Sequence, residues 1–242
     1  MASGTVNARI RPEASWVRVY VWQLPVRLAH WILVGCLVVL SFTGIYIHNP
    51  FIVAVSDRSW VMGTMRFIHV MSGFVLISAL IWRFYWFFAG NRWARWDQFV
   101  PFTKERRSAM KNMMEYYGFL RWWPAPQVGH NPLAGAAYCA VFGLLIIEIL
   151  TGLALFDNIL GNRVLHSFIG WLTLLINLQY LRMIHFGIMF LFGAFLIHHV
   201  YSAILISKEE RSGLMDSIFT GYKYISPARL SREGVGERVE RH

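Results

Sequence analysis

The chain is short of three things, and each shortage removes a class of function. It has two cysteines in 242 residues, Cys36 and Cys139. Both fall inside apolar segments, where they read as small buried hydrophobes, and two isolated thiols cannot assemble a cluster, so an iron–sulphur centre within this chain is excluded. Acidic residues number 13 against 23 lysines and arginines, giving a net charge of +10. A nucleic-acid surface would gather that excess on one soluble face; here it sits in blocks between apolar runs, as topology signals do, and no nucleic-acid partner is expected. Charged residues of both signs make up only 15% of the chain, against 56% hydrophobic and 16% aromatic, with a mean hydropathy of +0.44. The solvent for much of this sequence is lipid. There is also no phosphate-cradling glycine loop, internal repeat or low-complexity tract; Gly234 and Gly236 alone signify nothing.

What is present is four long apolar runs, at residues 28–47, 67–89, 133–156 and 183–207. Each is long enough, at roughly 20 helical residues or more, to cross about 30 Å of hydrocarbon. Pro25 suits the first turn of the first helix, and His48-Asn49-Pro50 ends it. The one charge in the second run, Arg83, is expected to snorkel to the headgroups. A fifth apolar stretch, 164–181, is interrupted by His166, Ser167, Thr173, Asn177 and Gln179 and runs straight into Arg182. It reads as an amphipathic helix lying in the interface, as does 104–120, where Met110, Met113, Met114 and Tyr117 recur opposite Arg106, Arg107 and Lys111. The expected fold is therefore an all-α integral membrane protein: a four-helix transmembrane bundle over 28–207 with interfacial helices, an N-terminal tail 1–27 and a C-terminal tail 208–242, mobile after Ser226.

Lysine and arginine counts orient it. The N-terminal tail carries four, the second loop eight from Arg83 to Arg121 and the C-terminal tail seven, whereas the first loop has only Arg58 and Arg66 and the third only Arg163 and Arg182. Both termini and the long loop are expected on the cytoplasmic side. The first 27 residues lack an apolar run ending in a small-residue cleavage site, so no removable signal peptide is expected there.

The chemistry lies in the histidines. His30, His69, His185 and His199 fall inside the spans, where an ionisable side chain is by default a functional hypothesis. The plain alternative is imidazoles hydrogen-bonded to neighbouring helices, and the arrangement weighs against it. His185 and His199 share one helix face, about 40° apart in azimuth and about 21 Å apart along the axis, too far for one metal ion. His198 points away. Two stacked sites follow, and the helix directions pair His69 with His185 outside and His30 with His199 inside. Two imidazoles fill both axial positions of a haem, which makes an electron-transfer centre. Gly35, Gly44, Gly73, Gly187 and Gly193 leave room for a flat macrocycle, although close helix packing explains membrane glycines equally well.

Arg27-Leu28-Ala29-His30-Trp31 followed by Thr43-Gly44, and Arg182-Met183-Ile184-His185 continuing through Phe195 to His199, resemble the two signatures of the cytochrome b subunit of membrane-bound nickel–iron hydrogenases. The likeness extends over the span order and the Gly129-His130-Asn131-Pro132 entry to the third helix. Phe186 and Phe190 depart from it, standing where many relatives have a basic residue and Trp.

The resemblance implies two haem b groups on His30, His69, His185 and His199, in the bacterial inner membrane. It implies as partners a large subunit and a small subunit that carries iron–sulphur clusters and a C-terminal membrane helix. Electrons would pass from the outer haem to the inner one and on to membrane quinone. The docking face would be 49–66 and 157–182 with His166 and Trp171. A quinone site beside the inner haem would use His130 and Asn131, which read equally well as a surface histidine beside a helix cap. The gamma subunit of formate dehydrogenase is similar enough to compete. A transporter or bare membrane anchor is the alternative of a different class, but Glu148 is the only acidic residue deep in a span.

Overall fold

A computed structural model describes residues 16–51, 60–100, 103–122 and 132–226. Four helices are long and apolar enough to cross a membrane: α1 (Leu24–His48), α2 (Val61–Ala89), α4 (Pro132–Leu160) and α6 (Leu178–Glu210). Their side chains say which solvent they need. Ile81, Tyr85, Phe88, Phe190 and Ile197 all point outward from the bundle, with Phe88 76% exposed and Ile197 75%. Water would penalise such a surface, whereas lipid accepts it and leaves each helix's backbone hydrogen bonds satisfied internally. The chain is an integral membrane protein of the expected four-helix class.

Between the bundle's two ends lies one apolar cluster, drawn from all four spans: Cys36, Leu76, Leu80, Leu145, Ile188 and Phe192. Cys36 is buried there as expected, but Cys139 is exposed on the outward side of α4. Arg83 also differs from expectation. It is buried rather than snorkelling, its guanidinium donating to the Ala94 carbonyl at 3.3 and 3.4 Å and lying 4.2 Å from the centre of the Phe87 ring. The chain after α2 folds back under the helix and offers that carbonyl, so the charge finds a partner without reaching the headgroups.

Two shorter helices lie outside the spans. α3 (Lys104–Tyr117) starts at Thr103, whose Oγ1 accepts from the Arg106 N–H, and buries Met113 while Met114 faces out. α5 (Arg163–Leu175) is capped by Asn162, whose side chain accepts from Val164 and Leu165. At about 20 Å it is too short to span. Its buried residues Ile169 and Leu172 pack on Ala154 of α4 and Leu181 of α6, and Val164, Phe168, Leu174 and Leu175 face outward. Only Ile176 and Asn177 separate it from α6, so 178–181 belong to the spanning helix instead of the interfacial stretch.

The tails are more ordered than the sequence reading allows. β1 (Val17–Tyr20) pairs antiparallel with β2 (Tyr222–Ile225), and the short α7 (Leu214–Thr220) packs beside them. Trp22 donates from Nε1 to Ser217 Oγ at 3.0 Å, and Val21, Trp22, Trp93 and Ile225 form a small core. Gln23 ties this cap to the bundle, its side-chain oxygen accepting from Trp86 Nε1 and the Asn91 N–H at 3.0 and 2.8 Å. This end of the bundle is called the strand end below, and the opposite one the far end. The stretch after Ser226, expected to be mobile, lies outside the described residues, as do His130 and Asn131.

Candidate cofactor site

Each span contributes to one or both of two stacked sites. At the far end His69 of α2 and His185 of α6 face each other with ring centres 6.2 Å apart. At the strand end His30 of α1 and His199 of α6 do the same at 6.4 Å. The sequence reading left His30 nearer its membrane surface than His199. The rings meet because the helix ends are not level: α6 runs on to Glu210 beyond His199, whereas α1 begins at Leu24, close before His30.

The hydrogen bonds around the far pair fix which nitrogen is free. Thr43 Oγ1 donates its single hydrogen within α1, 2.7 Å from the Val39 carbonyl, and therefore faces His69 Nδ1, at 2.8 Å, as an acceptor. Thr151 repeats the arrangement on α4, 2.9 Å from the Ile147 carbonyl and 3.0 Å from His185 Nδ1. Both Nδ1 atoms therefore carry the proton, and both Nε2 lone pairs are left for a metal.

The residue after each threonine is glycine, and at Gly152 space is the reason. A Cβ on Gly44 would come to 3.4 Å from His69 Cε1, and one on Gly152 to 3.0 Å from His185 Cε1. Two Thr-Gly pairs on α1 and α4 thus hold two histidines on α2 and α6. Glu148 adds a carboxylate oxygen 3.4 Å from His185 Nδ1.

The strand-end pair is held differently. His199 Nδ1 has the Tyr138 hydroxyl at 3.4 Å, and the ring stacks on Phe195 with centres 5.3 Å apart. His30 Nδ1 is buried without a hydrogen-bond partner among the described residues, and Trp31 meets that ring edge-on at 5.1 Å. His198 turns away as expected, toward Ser202 and Tyr117.

These pairs suit a haem better than a bare ion. With iron–nitrogen bonds of about 2 Å, two imidazoles on opposite faces of one metal have ring centres about 6 Å apart. Both pairs have that spacing. Among the described residues no group of three or more His, Cys, Asp or Glu converges as a bare metal ion would require. Of the other candidates, His166 is exposed, with Nδ1 2.8 Å from buried Asp157, and Trp171 is exposed on α5.

Fold and site together define a membrane-spanning protein that presents two pairs of facing histidines between its helices. The chain belongs to the prokaryotic cytochrome b561 family, whose sequence pattern it matches over residues 21–221. It is 33% identical over 229 residues to a probable Ni/Fe-hydrogenase B-type cytochrome subunit of Cupriavidus necator, covering 92% of this chain and 93% of that one. Similar proteins with the same description occur in Escherichia coli K12, where the protein is assigned to hydrogenase 1 (32% identity, 88% and 94% covered), and in Rhodobacter capsulatus (32%, 88% and 84%). Membership in a cytochrome b family implies haem b.

Sequence reasoning passed over Thr151-Gly152, although it repeats Thr43-Gly44 on a second span. It also gave Tyr138 no role. A tyrosine in an apolar run carries no local signal that its hydroxyl will meet a histidine 61 residues away.

Proposed function

We infer that this chain is the b-type cytochrome subunit of a nickel–iron hydrogenase, holding two haem b groups and passing electrons to membrane quinone while anchoring the complex in the inner membrane. The supporting observation is the spacing of the two imidazole pairs, 6.2 and 6.4 Å. The names of the relatives support the hydrogenase as partner. In this reading His69 and His185 ligate one iron, and His30 and His199 the other. The haem held by each pair would supply a one-electron carrier. The threonines keep His69 and His185 in the ligating tautomer. The apolar cluster between the sites keeps water out of the space they share.

The basic tails and second loop put the strand end in the cytoplasm and the far end outside. The small and large hydrogenase subunits then meet α5, with His166 and Trp171, and the first loop. Quinone is reduced at the strand end, where His130 and Asn131 precede α4 and Tyr138 of the same helix reaches His199. A quinone needs an apolar groove, hydrogen-bond donors for its oxygens and a source of protons, and these residue types supply the polar part.

The test is the reduced-minus-oxidised spectrum of the chain purified with its hydrogenase. Two haem b equivalents per chain, reduced by hydrogen and reoxidised by quinone, are expected. Absence of haem absorbance overturns the cytochrome reading. Haem that hydrogen cannot reduce overturns the partner.

A further inference from the structure

Three of the four paired histidines have an arginine three residues earlier: Arg27 before His30, Arg66 before His69 and Arg182 before His185. On a helix that offset is about one turn along the axis and about 60° in azimuth, so each arginine shares its histidine's side of the helix. Helix direction decides where the turn leads. α2 and α6 both start at the far end, and α1 starts at the strand end. Each arginine is therefore displaced from its histidine toward the nearer end of the bundle.

The two ends use these arginines differently. Arg66 and Arg182 are exposed and have no hydrogen-bond or ion-pair partner among the described residues. Arg27 is already engaged, donating to the Phe219 carbonyl of α7, with Nε buried and unpartnered among the described residues. His199 has no counterpart; Ser202 and Ala203 stand one turn on from it.

A haem b carries two propionate carboxylates on one edge, and guanidinium pairs with carboxylate through two parallel hydrogen bonds. We propose that Arg66 and Arg182 form a clamp for the two propionates of the far-end haem, which stands with its propionate edge toward the far surface. The proposal rests on the haem reading above. Propionate charge near the iron favours the oxidised state, and a guanidinium on each carboxylate offsets it, so removing the clamp lowers the reduction potential of that haem.

The experiment is a spectroscopic redox titration of the purified full chain with both haems bound. R66Q, R182Q, the double variant and R66K/R182K are compared with R163Q. Arg163 is the control because it also lies three residues before a histidine, His166, but that imidazole bonds Asp157 instead of facing a second ring. The clamp is supported if each glutamine variant lowers one of the two waves and leaves the other in place, the double variant lowers it further, and lysine moves it back toward the native position. It is overturned if the double variant shifts neither wave more than R163Q does, or if lysine restores nothing. H69A and H185A, prepared alongside, separate this from failure of the haem reading. Retention of both haems in those two variants overturns the ligand assignment and the clamp with it. An unshifted wave in R66Q/R182Q beside haem loss in H69A and H185A overturns the clamp alone.

Discussion

The two imidazole pairs have nearly the same spacing, 6.2 Å at the far end and 6.4 Å at the strand end, but they are held by different means. At the far end both Nδ1 atoms have a threonine oxygen within 3.0 Å, and glycines let α1 and α4 close against the rings. At the strand end aromatic faces do most of the holding, one nitrogen has a distant tyrosine, and the other has no partner among the described residues. Hydrogen bonds set a tautomer and a ring orientation, whereas stacking sets only a plane. The far-end site is thus the more preorganised. The strand-end site relies on aromatic contacts instead.

The largest effects come from removing a ligand. H69A or H185A should cost the far-end haem, and H30A or H199A the strand-end haem, read as haem per mole of purified chain. Two full equivalents in all four variants would break the comparison by removing both sites. Next, the strand end should show chemistry that the far end lacks. H130A is expected to lower quinone reduction by about 10²-fold or more, the range for loss of a proton-transferring group, and N131A by less, because an amide offers hydrogen bonds but no proton. Haem content and reduction of an artificial acceptor that draws directly on the hydrogenase should stay near native. Unchanged quinone kinetics in both would take these residues out of the quinone site.

The supporting groups rank below the ligands. T43A/T151A should weaken far-end haem binding by about 10- to 100-fold, the usual cost of losing a partner behind a metal ligand. Y138F should change strand-end binding by less than about 3-fold, because 3.4 Å is at the margin of a hydrogen bond. Haem retention after dilution in detergent measures both. Equal losses at the two ends would show that preorganisation does not separate them. The steric effects fall in the range of the threonine losses. G152A, placing a Cβ 3.0 Å from His185, should cost about 1–3 kcal/mol in thermal unfolding, the range for overpacking. G44A, at 3.4 Å, should cost less.

The spans and the histidine pairing were legible because both rest on long, regular signals. Runs of about 20 or more apolar residues fix the helices, and 3.6-residue periodicity puts His185 and His199 on one face whatever the exact boundaries. The strand end was less legible. β1 and β2 are four residues each and lie some 200 residues apart, so neither shows locally that it has a partner. Arg83 was misplaced for a related reason. Its partner is the Ala94 carbonyl, and no side-chain pattern announces where a loop will aim its backbone. Thr151-Gly152 was in plain view, but its meaning depends on α4 packing against α6 as α1 packs against α2, which is a property of the bundle and not of any one helix.

The central claim is that four histidines on three helices make two bis-imidazole sites in one chain. Near-infrared magnetic circular dichroism of the oxidised native protein, together with its haem-to-protein ratio, tests this most directly, because the charge-transfer band reports the axial ligands of each low-spin ferric haem. Two haems per chain, both low-spin with two imidazole ligands, are the expected result. A single haem, a high-spin iron with an open position, or a methionine on either iron would contradict it.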